Sequence, residues 1–455
     1  MEIYNPANDR YLITIEEDTK DSVSEKFNRA KAALSTWNQT PLKKRMEIIT
    51  QFKLLVDQEK EPLAEILTNE TGKPITQSKN ELKGLMGRID FFLSETAKVL
   101  EEEIVSEKEA LLCEKISKEP LGVIANISAW NYPYFVGSNV FIPALLTGNT
   151  VLYKPSEYAT CTGIAINKLL HEAGVPEDVF LLILGAGQIG EELLKLTVDG
   201  VFFTGSYATG KKINEMVASH LTKVQLELGG KDPVYVCEDV NIKTAAASLA
   251  DGAFYNNGQS CCSVERIYVH ESIYDKFVET FTDEVKNFVI GDPMREKTYI
   301  GPLTRARQIE VLEAQIKDAI SKGAKLLIGG KRIAQAGNYF EPTVITEVTH
   351  EMWVMQEESF GPIIGIQKVK DDSEAIALMN DTEYGLTAGV YTQDENRAKN
   401  ILSQIHAGSV YWNCCDRVSP TLPWAGRGHS GMGCTLSHYG IETFLRLKAW
   451  HLKKP

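Results

Sequence analysis

No run of apolar residues in this chain approaches the length needed to cross a bilayer, so a membrane-spanning helix is excluded on composition. There is no basic block either. The 48 Lys+Arg stand against 61 Asp+Glu, and the resulting charge of −13 is spread in short mixed groups such as "EEEIVSEKE". A nucleic acid or an anionic membrane is therefore a poor partner. No repeat of the solenoid kind and no low-complexity linker interrupts the sequence. The N-terminal "MEIYNPANDRYLITIEED" lacks a basic flank, an apolar core and a small-residue cleavage site, which leads to the expectation of a cytoplasmic protein. Cysteine is sparse. None of Cys113, Cys161, Cys237, Cys261, Cys262, Cys414, Cys415 and Cys434 forms a C-x-x-C or has a histidine at zinc-like spacing, so no metal site is expected. In a reducing compartment most of them are expected to serve as small buried hydrophobes.

What is present describes an ordinary globular chain: 455 residues, 43% apolar and 24% charged, enough for two or three domains with a large core. Val23, Phe27, Ala30, Leu34 and Trp37 recur at helical spacing, and a second helical region runs from about Pro41 to the "TGKP" stop at Gly72 and Pro74. From residue 121 the rhythm changes. Short β-branched runs ("GVIANIS", "NTVLYKP", "VFLLILG", "GVFFTG") alternate with helical stretches ("GIAINKLLHEAG", "GEELLKL"), and the alternation resumes from "RIYVH" through "AKLLIGG", "PTVIT", "PIIGIQKVK" and "GSVYWN". Such alternation predicts an α/β fold with parallel sheets covered by helices. The segment 100–120 is charged and loosely alternating, in keeping with a hairpin arm.

Three stretches carry candidate chemistry. In "LLILGAGQIGEELL", Gly185, Gly187 and Gly190 form G-x-G-x-x-G, but the acidic residue that a dinucleotide fingerprint needs about 20 positions on is missing from "VFFTGSYATG", so a tight strand-to-helix turn is the expected reading. "FTGSYATGKK" places Gly205 and Gly210 around a helix start, where free N–H groups and the helix dipole suit a phosphate. "NNGQSCCSVER" sets Cys261 and Cys262 side by side after an Asn-Asn-Gly loop. Packing, half a metal site, a disulfide, or one nucleophile beside a bystander all remain open for that pair.

Taken together, "WNYP", "YKPSE", "FTGSYATG", "ELGGK", "NNGQSC", "EESFGP" and "PWAGRGHSGMG" resemble, in order and spacing, the NAD(P)-dependent aldehyde dehydrogenase superfamily, from "NPAN" to about residue 450. The resemblance implies a doubly wound cofactor domain (1–99 and 121–228), a second α/β catalytic domain (229–437), and a β arm for oligomerisation (100–120 and 438–455) that pairs 100–120 with "FLRLKAWHLK". It implies Cys261 as nucleophile, third after the Gly of "GQ"; Asn131 with the Cys261 N–H as oxyanion donors; and Glu227, 34 positions before Cys261, as general base for hydrolysis. For the cofactor it implies Lys154 and Glu157 at the adenosine ribose, Gly205 and Ser206 at the pyrophosphate, Gln308, Glu358 and Phe360 toward the nicotinamide ribose, and Trp130 as a wall. A carboxylate at 157 repels a 2′-phosphate, so NAD is favoured, with NADP possible.

The same alignment places Tyr132, Val136, Tyr255, Asp416, Val418 and Trp424 around the substrate entrance, aromatic enough for a ring, an apolar chain or a cationic head, without choosing among them. Two departures stand out. Many members carry a lysine where this chain has Val140, and a glutamate where it has Thr435. The expected activity is oxidation of an aldehyde to a carboxylic acid through a cysteine thioester. The alternatives are acyl transfer to coenzyme A or phosphate, and a non-catalytic relative. A homodimer or homotetramer is expected, because an arm exposes sheet edges.

Overall fold

The computed structural model describes residues 1–108 and 112–454. The arm expected over 100–120 and 438–455 thus includes residues 109–111 and 455, which lie outside the described residues. Among the described residues no helix is long and apolar enough to cross a membrane.

Two sheets organise the chain. The first runs Gly431–Met432, Lys223–Glu227, Gly200–Thr204, Val123–Ile127, Thr150–Lys154, Phe180–Leu182, parallel throughout except for the short 431–432 edge. Strands 123–127, 150–154 and 200–204 are buried on both faces, which is why they read as continuous apolar runs. The chain leaves the central strand 123–127 toward 150–154 on one side and returns on the other at 200–204. The carboxyl ends of 123–127 and 200–204 therefore flank a topological switch point, where such sheets bind ligands. The second sheet runs Lys325–Ile328, Thr343–Thr346, Ile363–Val369, Arg266–His270, Pro233–Val236, Thr387–Tyr391, Ser409–Trp412, parallel except at the 325–328 edge. The loops entering its strands at 233, 266 and 363 carry Gly229, Cys261 and Phe360.

Helix Lys20–Gln39 buries Val23, Phe27, Ala30 and Trp37 and starts at a capping box on Thr19 and Ser22. The helical region beginning at Pro41 divides at Glu59 into Leu42–Gln58 and Lys60–Thr71. A 25-residue helix, Ile75–Val99, follows at once. The sequence signals did not single it out, although Leu82, Leu85, Ile89 and Phe92 line its buried face, because Gly84 and Gly87 interrupt the pattern. It packs with helix Pro133–Leu146 in one core that also takes in Cys262, Trp424 and Leu436. Finally, Leu445–Lys453 pairs antiparallel with Leu112–Pro120, and that strand with Glu103–Lys108, in a separate three-stranded sheet.

Candidate active site

A cleft of about 610 Å³ opens at the switch point, lined by Trp130, Asn131, Lys154, Glu157, Gly205, Ser206, Cys261, Gln308, Glu358 and Phe360. Every cofactor candidate read from the sequence thus faces one space, together with two of the three catalytic candidates. Chain direction explains the convergence: Trp130 and Asn131 follow strand 123–127, Lys154 ends strand 150–154, and Gly205 and Ser206 follow strand 200–204. Ser206 caps helix Tyr207–Val217, its Oγ accepting from the Thr209 N–H at 3.4 Å, so the first turn points its remaining N–H groups at the cleft. Lys154 is buried, and burial holds its ammonium below the ordinary lysine range against the attraction of Glu157. Gly187 and Gly190 also line the cleft, so the G-x-G-x-x-G segment is more than the turn expected of it. A Cβ at Gly190 would sit in ordinary contact with Lys154, 3.5 Å from Cε.

Trp130 forms a wall, with the Phe360 ring edge-on at 5.5 Å and the Arg305 guanidinium 5.2 Å from the indole. Arg305 had no signal of its own in the sequence beyond "RARQIE". Gln308 is engaged at both ends of its amide, donating to the Ser359 carbonyl at 2.6 Å and accepting from Arg305 at 2.9 Å, so in this state it braces the 358–360 loop. That loop is also pinned by Glu265, which accepts from the Ser359 N–H at 2.9 Å and the Phe360 N–H at 3.0 Å and pairs with the buried Lys231 at 2.6 Å. Glu358 lies against Gly229, where a Cβ would sit 2.3 Å from its Oε1, and accepts from the Gly230 N–H at 3.0 Å. Burial and the neighbouring Glu265 push its carboxyl up to about 7.

The cysteine loop explains its own sequence. Asn256, Asn257 and Gly258 have φ of 53°, 59° and 67°, the left-handed region that asparagine and glycine tolerate best. Asn256 Nδ2 donates to the Asn131 and Gln259 carbonyls at 3.2 and 3.1 Å, and Asn257 Nδ2 to the Gly301 carbonyl at 2.7 Å. Asn131 Nδ2 donates to Gln259 O at 3.1 Å, which leaves its second N–H uncommitted. The Cys261 N–H makes no hydrogen bond among the described residues. A Cβ on Gly230 would come within 2.7 Å of the Cys261 carbonyl, so "ELGGK" packs directly on the cysteine loop.

The two cysteines differ sharply. Cys261 faces the cleft, half-buried. Cys262 is buried and its thiol donates to Asp416 Oδ1 at 3.0 Å; the adjacent Cys261 side chain, burial and the Asp416 charge hold it well above the ordinary thiol range. Asp416 also accepts from Ser260 Oγ at 3.2 Å. The carboxylate expected at the substrate entrance is thus already engaged with the loop. Glu227 is buried at the end of its strand, where Thr435 donates a hydrogen bond to it, as do Thr204 at 3.3 Å and Gln225 at 3.4 Å; burial still raises its carboxyl above the usual range. Thr435, noted from sequence as a departure, is therefore a direct partner of Glu227.

Of the remaining entrance candidates, Tyr132 stacks on Phe135 at 5.8 Å with Lys73 Nζ 3.8 Å from its ring, and Tyr255 Oη accepts from Asn80 at 3.2 Å. Trp424 is buried, bonded through its backbone to Thr435, in the core cluster that also holds Cys262 and packs against Cys261 and Val418.

Comparison with known proteins agrees over the whole length. The profile of the Aldehyde dehydrogenase family matches residues 1–450. An aldehyde dehydrogenase of Aspergillus niger is 34% identical over 457 residues, spanning 100% of this chain and 92% of that one. A glutarate-semialdehyde dehydrogenase of Pseudomonas putida is 33% identical, covering 98% and 93%. The crystal structure of betaine aldehyde dehydrogenase from Staphylococcus aureus in complex with NAD+ superposes with a TM-score of 0.96 at 32% identity, over 99% of this chain and 91% of that one. With the cleft, the cysteine loop and these full-length matches in agreement, the chain belongs to the aldehyde dehydrogenase family.

Proposed function

We propose that this protein oxidises an aldehyde to a carboxylic acid with NAD+, with Cys261 as the nucleophile. The observation that carries this reading is the convergence of Cys261, Asn131 and the cofactor candidates on one cleft while Cys262 is turned away into a hydrogen bond with Asp416. The Cys261 sulfur adds to the aldehyde carbon as a thiolate, and the oxygen takes the negative charge. The free Cys261 N–H and the uncommitted Asn131 N–H receive that oxygen. When bound, the nicotinamide of NAD+ supplies a hydride acceptor, which leaves a thioester on Cys261. Glu227 then takes a proton from water, the water oxygen bonds to the thioester carbon, and the C–S bond breaks to return the Cys261 thiolate. A base whose carboxyl is raised toward neutrality by burial suits that step.

The cleft fits a dinucleotide chemically. Lys154 and Glu157 offer a donor and an acceptor pair for one ribose, helix 207–217 offers N–H groups for the pyrophosphate, and Glu358 offers a carboxyl for the second ribose beside the Trp130 and Phe360 rings. Glu157 supports NAD over NADP, since its charge repels a 2′-phosphate.

We assign residues 1–99 and 121–228 to cofactor binding, 229–437 to catalysis, and 100–120 with 438–455 to an oligomerisation arm. Exposed apolar side chains on that arm, Ile104 and Leu447 foremost, support a homodimer or homotetramer. A cytoplasmic location agrees with the eight unpaired cysteines. Acyl transfer to coenzyme A is the second reading, and the retained Glu227 speaks against it, because a thiol acceptor needs no such base. An NADH-coupled screen of aliphatic, aromatic, amino and acidic aldehydes, with and without coenzyme A, tests both: free acid as product supports the proposal, and acyl-CoA as the main product overturns it.

A further inference from the structure

Glu227 ends strand Lys223–Glu227, and a distant part of the chain wraps back onto that end. Gly431 pairs antiparallel with Glu227 and Met432 with Leu226, and the Leu228 N–H donates to the Ser430 carbonyl at 3.1 Å. This turn delivers Thr435. Its backbone is clamped, donating to the Trp424 carbonyl at 3.0 Å and accepting from the Trp424 N–H at 2.8 Å. Gly440 packs so closely behind it that a Cβ there would lie 2.5 Å from the Thr435 carbonyl carbon. The Thr435 side chain is fully buried, and its hydroxyl donates its one hydrogen bond to Glu227 Oε1. The other donors sit farther off: Thr204 Oγ1 is 3.3 Å from Oε2 and Gln225 Nε2 is 3.4 Å from Oε1, both at the long end for such bonds. All three donors are neutral. A carboxylate buried among neutral groups stays ionised only as far as hydrogen bonds to its charged form offset its desolvation. Burial raises the Glu227 carboxyl, and of the bonds that oppose it the one from Thr435 is foremost.

We propose that Thr435 is a positioning residue for hydrolysis of the acyl-enzyme: its clamped hydroxyl holds the Glu227 carboxylate in one orientation and keeps it ionised, ready to take the proton from water. The proposal rests on the reading of Glu227 as general base. Few other charged or titratable groups reach Glu227. The flanking strands Gly200–Thr204 and Gly431–Met432 carry none. Cys434, next to Thr435, is a half-buried thiol held above its ordinary range by burial and by Glu227 itself, with Lys223 beyond it. Arg88, on helix Ile75–Val99, makes no hydrogen bond to Glu227, and its charge acts on it more weakly than any of the three donors.

The test compares Thr435→Val, Thr435→Ser and Glu227→Gln in the full-length enzyme. Each protein is mixed with limiting p-nitrophenyl acetate and quenched at intervals across a range of pH. Nitrophenol release reports acylation, and loss of the acetyl mass from Cys261 reports hydrolysis. Thr435→Val keeps the shape and removes the donor, and it is expected to move the acid limb of the hydrolysis rate upward by about one pH unit, roughly a tenfold loss below the limb. Thr435→Ser keeps the donor and is expected to hold the limb within about 0.3 of a unit of the parent. In a Glu227→Gln background, Thr435→Val is expected to add no further loss. If Thr435→Val does not fold, Thr435→Ala carries the same comparison. An unmoved acid limb in Thr435→Val, or an equal shift in Thr435→Ser, overturns the role of Thr435, while slow hydrolysis in Glu227→Gln keeps the base in place. Hydrolysis at the parent's rate in Glu227→Gln overturns the underlying reading instead.

Discussion

Replacing Glu358 by glutamine removes a half-buried charge while keeping the oxygen that accepts from the Gly230 N–H, 3.0 Å away. The folded protein holds the Glu358 proton up to about 7, against 4.5 for an ordinary glutamate, with burial as the main cause and Glu265 adding repulsion. Between those values the folded state binds a proton that the unfolded chain has lost, so this group costs stability as pH rises from 4.5 to about 7 and the cost persists above. At about 1.4 kcal/mol per pH unit the ceiling is about 3 kcal/mol. Water reaching the cleft screens the charge and brings the expected effect to about 1–2 kcal/mol. The assay is urea unfolding of both proteins without cofactor at about pH 5 and about pH 8. Glu358→Gln is expected to match the parent at the lower pH and exceed it by about 1–2 kcal/mol at the higher. An equal difference at both pH values would refute the reasoning, because a packing effect carries no pH dependence.

Three further outcomes follow from the site. Cys261→Ser is expected to lower NADH formation by at least about a hundredfold, whereas Cys262→Ser, which keeps a donor for Asp416, retains most of it; steady-state rates on any accepted aldehyde separate the two. Glu227→Gln is expected to give a normal NADH burst followed by turnover slowed by about 10²–10⁴, read by stopped-flow absorbance. Glu157→Ser removes the carboxylate expected to repel a 2′-phosphate and should raise kcat/KM with NADP at least about tenfold relative to NAD, checked by paired cofactor titrations.

Much of the α/β framework was legible because parallel strands buried on both faces are short apolar runs bounded by turn residues. "PVYV" at 233–236 and "TAGVY" at 387–391 escaped that reading, being brief and flanked by ordinary residues. Helix Ile75–Val99 escaped it as well, hidden by Gly84 and Gly87. The cysteine loop is the opposite case. Its Asn-Asn-Gly run records a left-handed backbone directly, and Cys261 at its end lines one cleft with Asn131. What spacing could not tell is which neighbours are already engaged. Asp416 reads as an open carboxylate in sequence and is occupied by Cys262 and Ser260 in the fold.

The central claim is that one sulfur is acylated in each turnover. Mixing the Glu227→Gln enzyme with NAD+ and an accepted aldehyde, quenching with acid within the burst and mapping peptides by mass spectrometry tests it directly. The expected result is the acyl mass on Cys261 and an unmodified Cys262; the acyl group on Cys262, or on no cysteine while NADH accumulates, would contradict it.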